Sequence, residues 1–157
     1  MNIPENPIAT VLRDDLNPDS PRSKTPSPFV YYRASFQPPL PSGKTEIRAK
    51  EFWFQSFTDQ AESLLGSSGE GFEIEKLSLV IPKGLKDGTY PITSKDRPFI
   101  LIEVDQVSPA AKSGNLTITR HNDGTISGFY KVEIVIEDIK YTVDGKFHLE
   151  PTYDNQY

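Results

Sequence analysis

The sequence predicts an all-β protein, an antiparallel sandwich or barrel of about seven or eight strands with one short helix. Apolar and polar residues alternate from residue 115 to residue 149, which is the pattern of strands with one buried and one wet face. Further upstream, turn-forming Pro, Gly, Asn and Asp residues separate short apolar runs. Strand and helix patterns do not alternate regularly, so a parallel sheet with crossover helices is not expected.

The N-terminal residues 1–28 differ in composition from the rest of the chain. Prolines recur there among Asn, Asp and Ser, and only residues 8–12 have the pattern of a short strand. Such a proline-rich polar arm buries too little apolar area to fold alone. We therefore expect an arm over residues 1–28, lying on its own domain or on a neighbouring subunit, and a single β-domain over residues 29–157.

The first part of the β-domain contains two predicted strands and the predicted helix. The strands cover residues 29–36 and 45–54, and a Pro- and Gly-rich turn separates them. Residues 56–59 fit a capping box, which favours a helix over residues 60–65 that ends at Gly66.

The middle of the chain contributes two further strands. Over residues 72–81 the apolar set moves from even to odd positions, which indicates a β-bulge near Glu75 and Lys76. Residues 99–102 are apolar on both faces, so that strand is expected to be central in its sheet or to lie against the arm.

The C-terminal third reads as a β-meander. Asn122-Asp123-Gly124 is a strong hairpin signal between strands over residues 116–121 and 125–137, and Glu137-Asp138 is a short connection to a last strand over residues 139–149. The alternation places one set of side chains in a common interior: Tyr130, Val132, Ile134, Ile136, Ile139, Tyr141, Val143 and Phe147.

Four short motifs in the second half of the chain resemble those of a known group of domains. The motifs are Gly88-Thr89-Tyr90, Leu116-Thr117-Ile118-Thr119, Ile126-Ser127-Gly128-Phe129 and Asp144-Gly145-Lys146-Phe147. Their order and spacing are similar to those of uncharacterised calycin-like β-domains found in many bacterial lipoproteins. The resemblance implies a calycin-like barrel and carries over no active residue. The lipobox cysteine of those lipoproteins is missing from this sequence, so the resemblance does not extend to membrane anchoring.

Composition argues against several classes of function. The net charge is −5, so no nucleic-acid partner is expected, because neutralising phosphates requires clustered Lys and Arg. The sequence contains no Cys and therefore offers neither disulfides nor thiolates. No apolar run is long enough to span a bilayer, and the first residues lack the pattern of a secretory signal. We expect a soluble protein, cytoplasmic by default, with leaderless export as the alternative.

Candidate catalytic groups are few. His121 and His148 are the only histidines; a triad would have to join His148 to a Ser and an Asp in space, and no G-x-S-x-G motif positions such a serine. Glu73 and Glu75 alternate onto one strand face, as a glycosidase-like carboxylate pair would, although charges on a wet face are the commoner explanation. The acidic run over residues 15–19 has the spacing that opens a calcium loop but lacks the later Gly and Glu. No catalytic residue, metal or cofactor is assigned.

Aromatic residues on the second face of several strands are the best indication of a functional surface. A second aromatic face belongs to an interface, to a ligand site or to a layer that covers the core. The candidate residues of this surface are Tyr31, Tyr32, Trp53, Phe99 and Phe129.

Three functions follow from these features, in order of preference. The first is a non-enzymatic interaction or structural protein that self-associates or docks in a larger assembly through its arm and aromatic strand faces, with edge strands available for main-chain pairing. The second is a small-ligand or glycan-binding calycin-like module with Trp53 and nearby tyrosines lining the site. The third is a hydrolase, which would need a cleft that brings His121 or His148 close to an acid or a nucleophile.

Overall fold

The computed structural model describes Leu16 and residues 27–152, and the continuous part contains ten strands. They are β1 Tyr31–Gln37, β2 Glu46–Arg48, β3 Glu51–Gln55, β4 Ala61–Ser68, β5 Glu75–Pro82, β6 Gly88–Pro91, β7 Phe99–Glu103, β8 Ser113–Arg120, β9 Ile126–Ile136 and β10 Ile139–Leu149. They form two antiparallel sheets, ordered β2-β1-β10-β9-β8-β6 and β3-β4-β5-β7. The all-β sandwich prediction is confirmed. The barrel alternative is wrong, because the two sheets pack as separate layers and do not close.

The six-stranded sheet is built on the predicted C-terminal meander. Strands β9 and β10 pair along their whole length, so Ile134 lies opposite Tyr141 and Val132 lies opposite Val143. Strand β1 adds to β10, and β6 adds to β8. Most of the predicted interior is buried as expected, whereas Ile136 is half-buried and Ile139 is exposed, because these two residues flank the turn at the end of the sheet.

The four-stranded sheet sends two rows of apolar side chains into the same core. Because the strands pair in register, each row crosses all four strands at one level. One row contains Phe54, Leu64, Leu79 and Ile100, and the other contains Phe52, Gly66, Leu77 and Ile102.

Three predictions that concern the four-stranded sheet are wrong. The single strand expected over residues 45–54 is divided into β2 and β3, which belong to different sheets. The expected helix over residues 60–65 is strand β4, because pairing with β3 and β5 on both sides overrides the local helix signals. The expected bulge near Glu75 is absent, since β5 pairs with β4 without interruption from Glu75 onward. The apparent shift in alternation arises because Phe72 lies in a 3₁₀ turn, Gly71–Glu73, that precedes the strand.

The edges of both sheets are short or already bonded. In the four-stranded sheet, the Thr152 side chain and amide bond to Phe54 at the β3 edge, and the amide of Ala111 donates to Ile100 at the β7 edge. The edge strands of the six-stranded sheet have three and four residues, and the second ends at Pro91. Short or capped edges limit pairing with a neighbouring chain, so the large surfaces available for contact are the sheet faces.

Candidate functional site

The outward side of the four-stranded sheet, which we call the four-strand outer face, is apolar and covered. It consists of two rows of side chains that lie opposite the core rows. Val80 and Phe99 are fully buried on it, and Trp53 is only 8% exposed. The rows are Trp53, Leu65, Ser78 and Leu101, and Gln55, Ser63, Val80 and Phe99, with Ala61 beside the second row.

Leu16 lies against this face. It packs on the cluster formed by Ala61, Val80 and Phe99, which is separate from the main core of the sandwich. The hollow between Leu16 and Trp53 measures only about 40 Å³. A space of this size is far below that of a small-molecule site, so Trp53 faces Leu16 across a narrow gap and does not line a ligand cleft.

Several polar atoms are buried on the four-strand outer face without a partner. Trp53 Nε1, Gln55 Oε1 and Ser63 Oγ have no hydrogen bond to any part of the chain that the structure describes. Leaving such a group unpaired costs about 1 to 3 kcal/mol. The face therefore offers one donor, one acceptor and one hydroxyl to whatever lies on it.

The outward side of the six-stranded sheet, the six-strand outer face, carries exposed aromatic and imidazole rings. Tyr31 is 41% exposed and Phe129 is 56% exposed. The Tyr31 ring stacks on His148 with 6.4 Å between centroids, and the Arg33 guanidinium lies 5.3 Å from the Tyr31 centroid. His121 lies 5.6 Å from His148, so the fold brings together the two histidines of the sequence.

These histidines do not complete a catalytic triad. His121 Nε2 lies 2.8 Å from Ser127 Oγ. In the described part of the chain, neither imidazole is hydrogen-bonded to a carboxylate, and the nearby Asp123 accepts hydrogen bonds from the hydroxyl and the amide of Thr125. Both bonds lower the pKa of Asp123, and the bond from the Thr125 hydroxyl has the larger effect. Ser127 and His121 form an exposed pair on an open sheet face, and among the described residues no acid is bonded to this imidazole to orient it.

The aromatic residues that the sequence singled out fall into three places. Tyr31 and Phe129 belong to the six-strand outer face, and Trp53 and Phe99 belong to the four-strand outer face. Tyr32 belongs to neither, because it is 1% exposed in the core, where its hydroxyl lies 3.0 Å from that of Tyr130. Alternation along β1 separates the two tyrosines, because Arg33, Ser35 and Gln37 share the exposed face of Tyr31, whereas Ala34 and Phe36 share the buried face of Tyr32.

A charged cleft contains the carboxylate pair that the sequence suggested, Glu73 and Glu75, but its other walls were not predicted. It has a volume of about 760 Å³ and lies where β2 and the β4–β5 connection approach each other. Glu73 and Glu75 both line it, and the Glu75 carboxylate is paired with Lys44 and bonded by Ser68. The sequence placed Glu73 and Glu75 on one strand face, but Glu73 lies in the 3₁₀ turn Gly71–Glu73 before β5 begins.

Comparison with known proteins gives no relative. No protein-family model, curated protein or solved structure matches this chain. Within the described residues, no helix is long and apolar enough to cross a membrane, and no group of three or more His, Asp or Glu side chains is arranged to hold a metal ion.

Proposed function

We propose that this is a non-enzymatic interaction protein, which self-associates by docking residues 1–26 of one copy on the four-strand outer face of another. The contact of Leu16 with Ala61, Val80 and Phe99 supports this proposal. A two-layer sandwich needs only its inward faces for a core. Buried apolar side chains on the outward face of one sheet therefore favour a third layer, supplied by a chain segment.

The chemistry of the face suits a peptide segment. A backbone brings amide donors and carbonyl acceptors together with its apolar side chains. Trp53 Nε1, Gln55 Oε1 and Ser63 Oγ are unpartnered within the described residues and can bond to such groups. An apolar ligand would leave all three buried and unpaired, which favours a peptide over a lipid-like occupant.

The length of chain between Leu16 and the domain permits exchange between copies. Eleven steps separate Leu16 from Ser27, where the continuous described part begins. A chain of that length spans up to about 36 to 40 Å when extended. This reach allows the segment to dock on its own sheet or on that of a neighbour, and exchange of an identical element is a low-cost route to an oligomer.

Docking on a face replaces the strand addition that the sequence suggested. The edges of the four-stranded sheet are bonded by Thr152 and Ala111, and those of the six-stranded sheet are short. Specificity would therefore come from side-chain packing on Val80 and Phe99.

Site-directed cross-linking tests the exchange, because the natural sequence has no Cys. Leu16 and Ser78 line the same small hollow. One protein carries Leu16→Cys and a size tag, and the other carries Ser78→Cys. After mixing and treatment with a short bismaleimide, we expect a covalent heterodimer of the tagged and untagged chains.

The matched control carries Lys146→Cys, on the outward side of the other sheet, in place of Ser78→Cys. Little cross-linking to this control is expected. If the tagged Leu16→Cys chain links equally to both partners, or if only a doubly substituted Leu16→Cys/Ser78→Cys chain reacts and does so within itself, exchange between copies is refuted.

A further inference from the structure

The charged cleft between β2 and the β4–β5 connection has the size and the lining of a site for a polar ligand. Its volume of about 760 Å³ lies in the range of small-molecule sites. It shares no lining residue with the four-strand outer face. Its walls come from segments that are distant along the chain, namely residues 44–50, 68–75 and 105–106.

Side chains of both signs lie along one wall. Glu46 and Arg48 project to the same side of β2, while Ile47 points into the core, and Lys44 and Lys50 line the cleft before and after this strand. Lys44 pairs with Glu75, and Arg48 bonds to Glu46 at 3.0 Å. These pairs neutralise charge and leave carboxylate lone pairs and N–H groups free for a ligand.

One exposed aromatic ring stands at this cleft. Phe72 is 81% exposed, the largest exposed fraction among the large apolar side chains that the structure describes. It lies in the 3₁₀ turn Gly71–Glu73, which is closed by a 3.0 Å bond from the Glu73 amide to the Glu70 carbonyl. Gly69 and Gly71 have φ of 79° and 59°, which few other residues adopt, so the backbone conformation beside Phe72 depends on glycine.

We infer that this cleft binds a carbohydrate. The sugar ring would stack on Phe72, and its hydroxyls would form hydrogen bonds with the charged side chains of the wall. Sugar rings present C–H groups on one side, which pack on an aromatic face, and hydroxyls at the edge, which both donate and accept. A wall that mixes carboxylates with ammonium and guanidinium groups serves both roles at once.

The balance of charges argues against the other polar ligands. Three basic and four acidic side chains line the cleft, so it lacks the positive field that a phosphate-rich or polyanionic ligand requires. The lack of an apolar lining beyond Phe72 argues against a lipid-like or drug-like ligand. A neutral, hydroxyl-rich molecule is the class that remains.

Affinity electrophoresis of the full chain tests this inference. Native gels containing dextran, mannan, xylan or hydroxyethyl cellulose are compared with a gel without polysaccharide, and retardation is expected in at least one of them. For that polysaccharide, Phe72→Ala should weaken binding about tenfold or more, because aromatic platforms dominate such contacts. Lys50→Ala should weaken it severalfold.

Phe129→Ala is the matched control, because Phe129 is also an exposed phenylalanine but lies on the six-strand outer face. Binding by this variant should equal that of the natural protein. Urea midpoints of all three variants check that the fold is intact. The inference is overturned if no gel retards the protein, or if Phe72→Ala and Phe129→Ala bind equally. Because Phe72 and Lys50 lie apart from the four-strand outer face, either result leaves the cross-linking outcome unaffected.

Discussion

At the scale of single residues, the core of the sandwich is organised around two tyrosines. Tyr32 and Tyr130 meet edge to face, with 6.3 Å between ring centroids and 3.0 Å between hydroxyl oxygens. Each hydroxyl is the partner of the other in a fully buried site, which avoids the cost of an unpaired polar group. Burial raises the pKa of both side chains above the ordinary value for tyrosine.

The tyrosine pair predicts a loss of stability at alkaline pH. Below about pH 10 both side chains are neutral in the folded and unfolded states, so this pair adds no pH dependence. Above that value the unfolded chain releases these protons while the folded chain keeps them. Stability should then fall by about 1.4 kcal/mol per pH unit for each tyrosine until the folded side chains ionise.

Urea unfolding at pH 9 to 11.5 measures this loss. Tyr32→Phe/Tyr130→Phe should have a shallower decline than the natural protein. At neutral pH this double variant should be less destabilised than the sum of the two single variants, because each single variant leaves one hydroxyl unpaired. An alkaline slope that is the same in the double variant would contradict the assignment.

Close packing against aromatic rings explains why two inward-facing positions of β9 and β10 are glycine. In the β9–β10 pair, Gly145 lies opposite Tyr130 and Gly128 lies opposite Phe147. A Cβ on Gly145 would come within 2.2 Å of the Tyr130 ring, and one on Gly128 within 2.7 Å of the Phe147 ring. The aromatic rings fill the space that the glycines leave, so each pair acts as one packing unit.

At the scale of elements, the sequence predicts strands well only where their two faces differ. The β9–β10 meander was predicted in register because polar and apolar residues alternate along it. Strand β4 was mistaken for a helix because both of its faces are buried, which removes the alternation. A bulge was predicted near Glu75 because Phe72 was counted as part of the strand, whereas it lies in the 3₁₀ turn that precedes β5.

The turn between β9 and β10 departs from the usual sequence. Glu137 and Asp138 have φ of 50° and 65°, which defines a turn that Asn-Gly favours. Glu137→Asn/Asp138→Gly relieves left-handed strain of about 1 to 2 kcal/mol per residue but adds the entropic cost of Gly, about 0.5 to 1 kcal/mol, so a net gain of about 0.5 to 1 kcal/mol is expected. The urea midpoint should rise with an unchanged slope.

The β8–β9 turn provides the control of opposite sign. Gly124 has φ of 89°, and a Cβ there would meet only Pro151 at an ordinary 3.6 Å. Gly124→Ala should cost about 1 to 2 kcal/mol through backbone strain alone. If the two changes shift the midpoint in the same direction, backbone strain does not govern these turns.

At the scale of the whole molecule, the candidate surfaces arise from contacts that no local pattern records. The aromatic residues were recognised as lying on two strand faces, but pairing in space assigned Trp53 and Phe99 to one sheet and Tyr31 and Phe129 to the other. The charged cleft joins residues 44–50 to residues 105–106. Such a site depends on how the sheets stack, which alternation along a single strand does not specify.

One ion pair ties the two sheets together at an end of the sandwich. Arg120 of β8 forms a fork with Glu62 of β4, at 2.5 and 3.2 Å, and its Nε donates to the Leu85 carbonyl at 2.7 Å. Glu62 also accepts from the Gly84 amide, and Asp87 accepts from the Arg120 amide. A bidentate, half-buried pair with further backbone bonds is stronger than an ordinary surface pair.

Removal of this fork should therefore destabilise the whole sandwich. Arg120→Gln leaves the half-buried Glu62 carboxylate without its cation, and we expect a loss of about 1.5 to 3 kcal/mol in the free energy of unfolding. Arg120→Lys keeps the charge but not the planar fork, so an intermediate loss is expected.

Arg48→Gln is the control, since Arg48 pairs with Glu46 on its own strand and both side chains are largely exposed. That change should cost no more than about 0.5 kcal/mol. Urea midpoints of the three variants decide the matter. Equal losses for Arg120→Gln and Arg48→Gln would mean that packing of the two sheets alone, without the Arg120 and Glu62 fork, holds this end of the sandwich together.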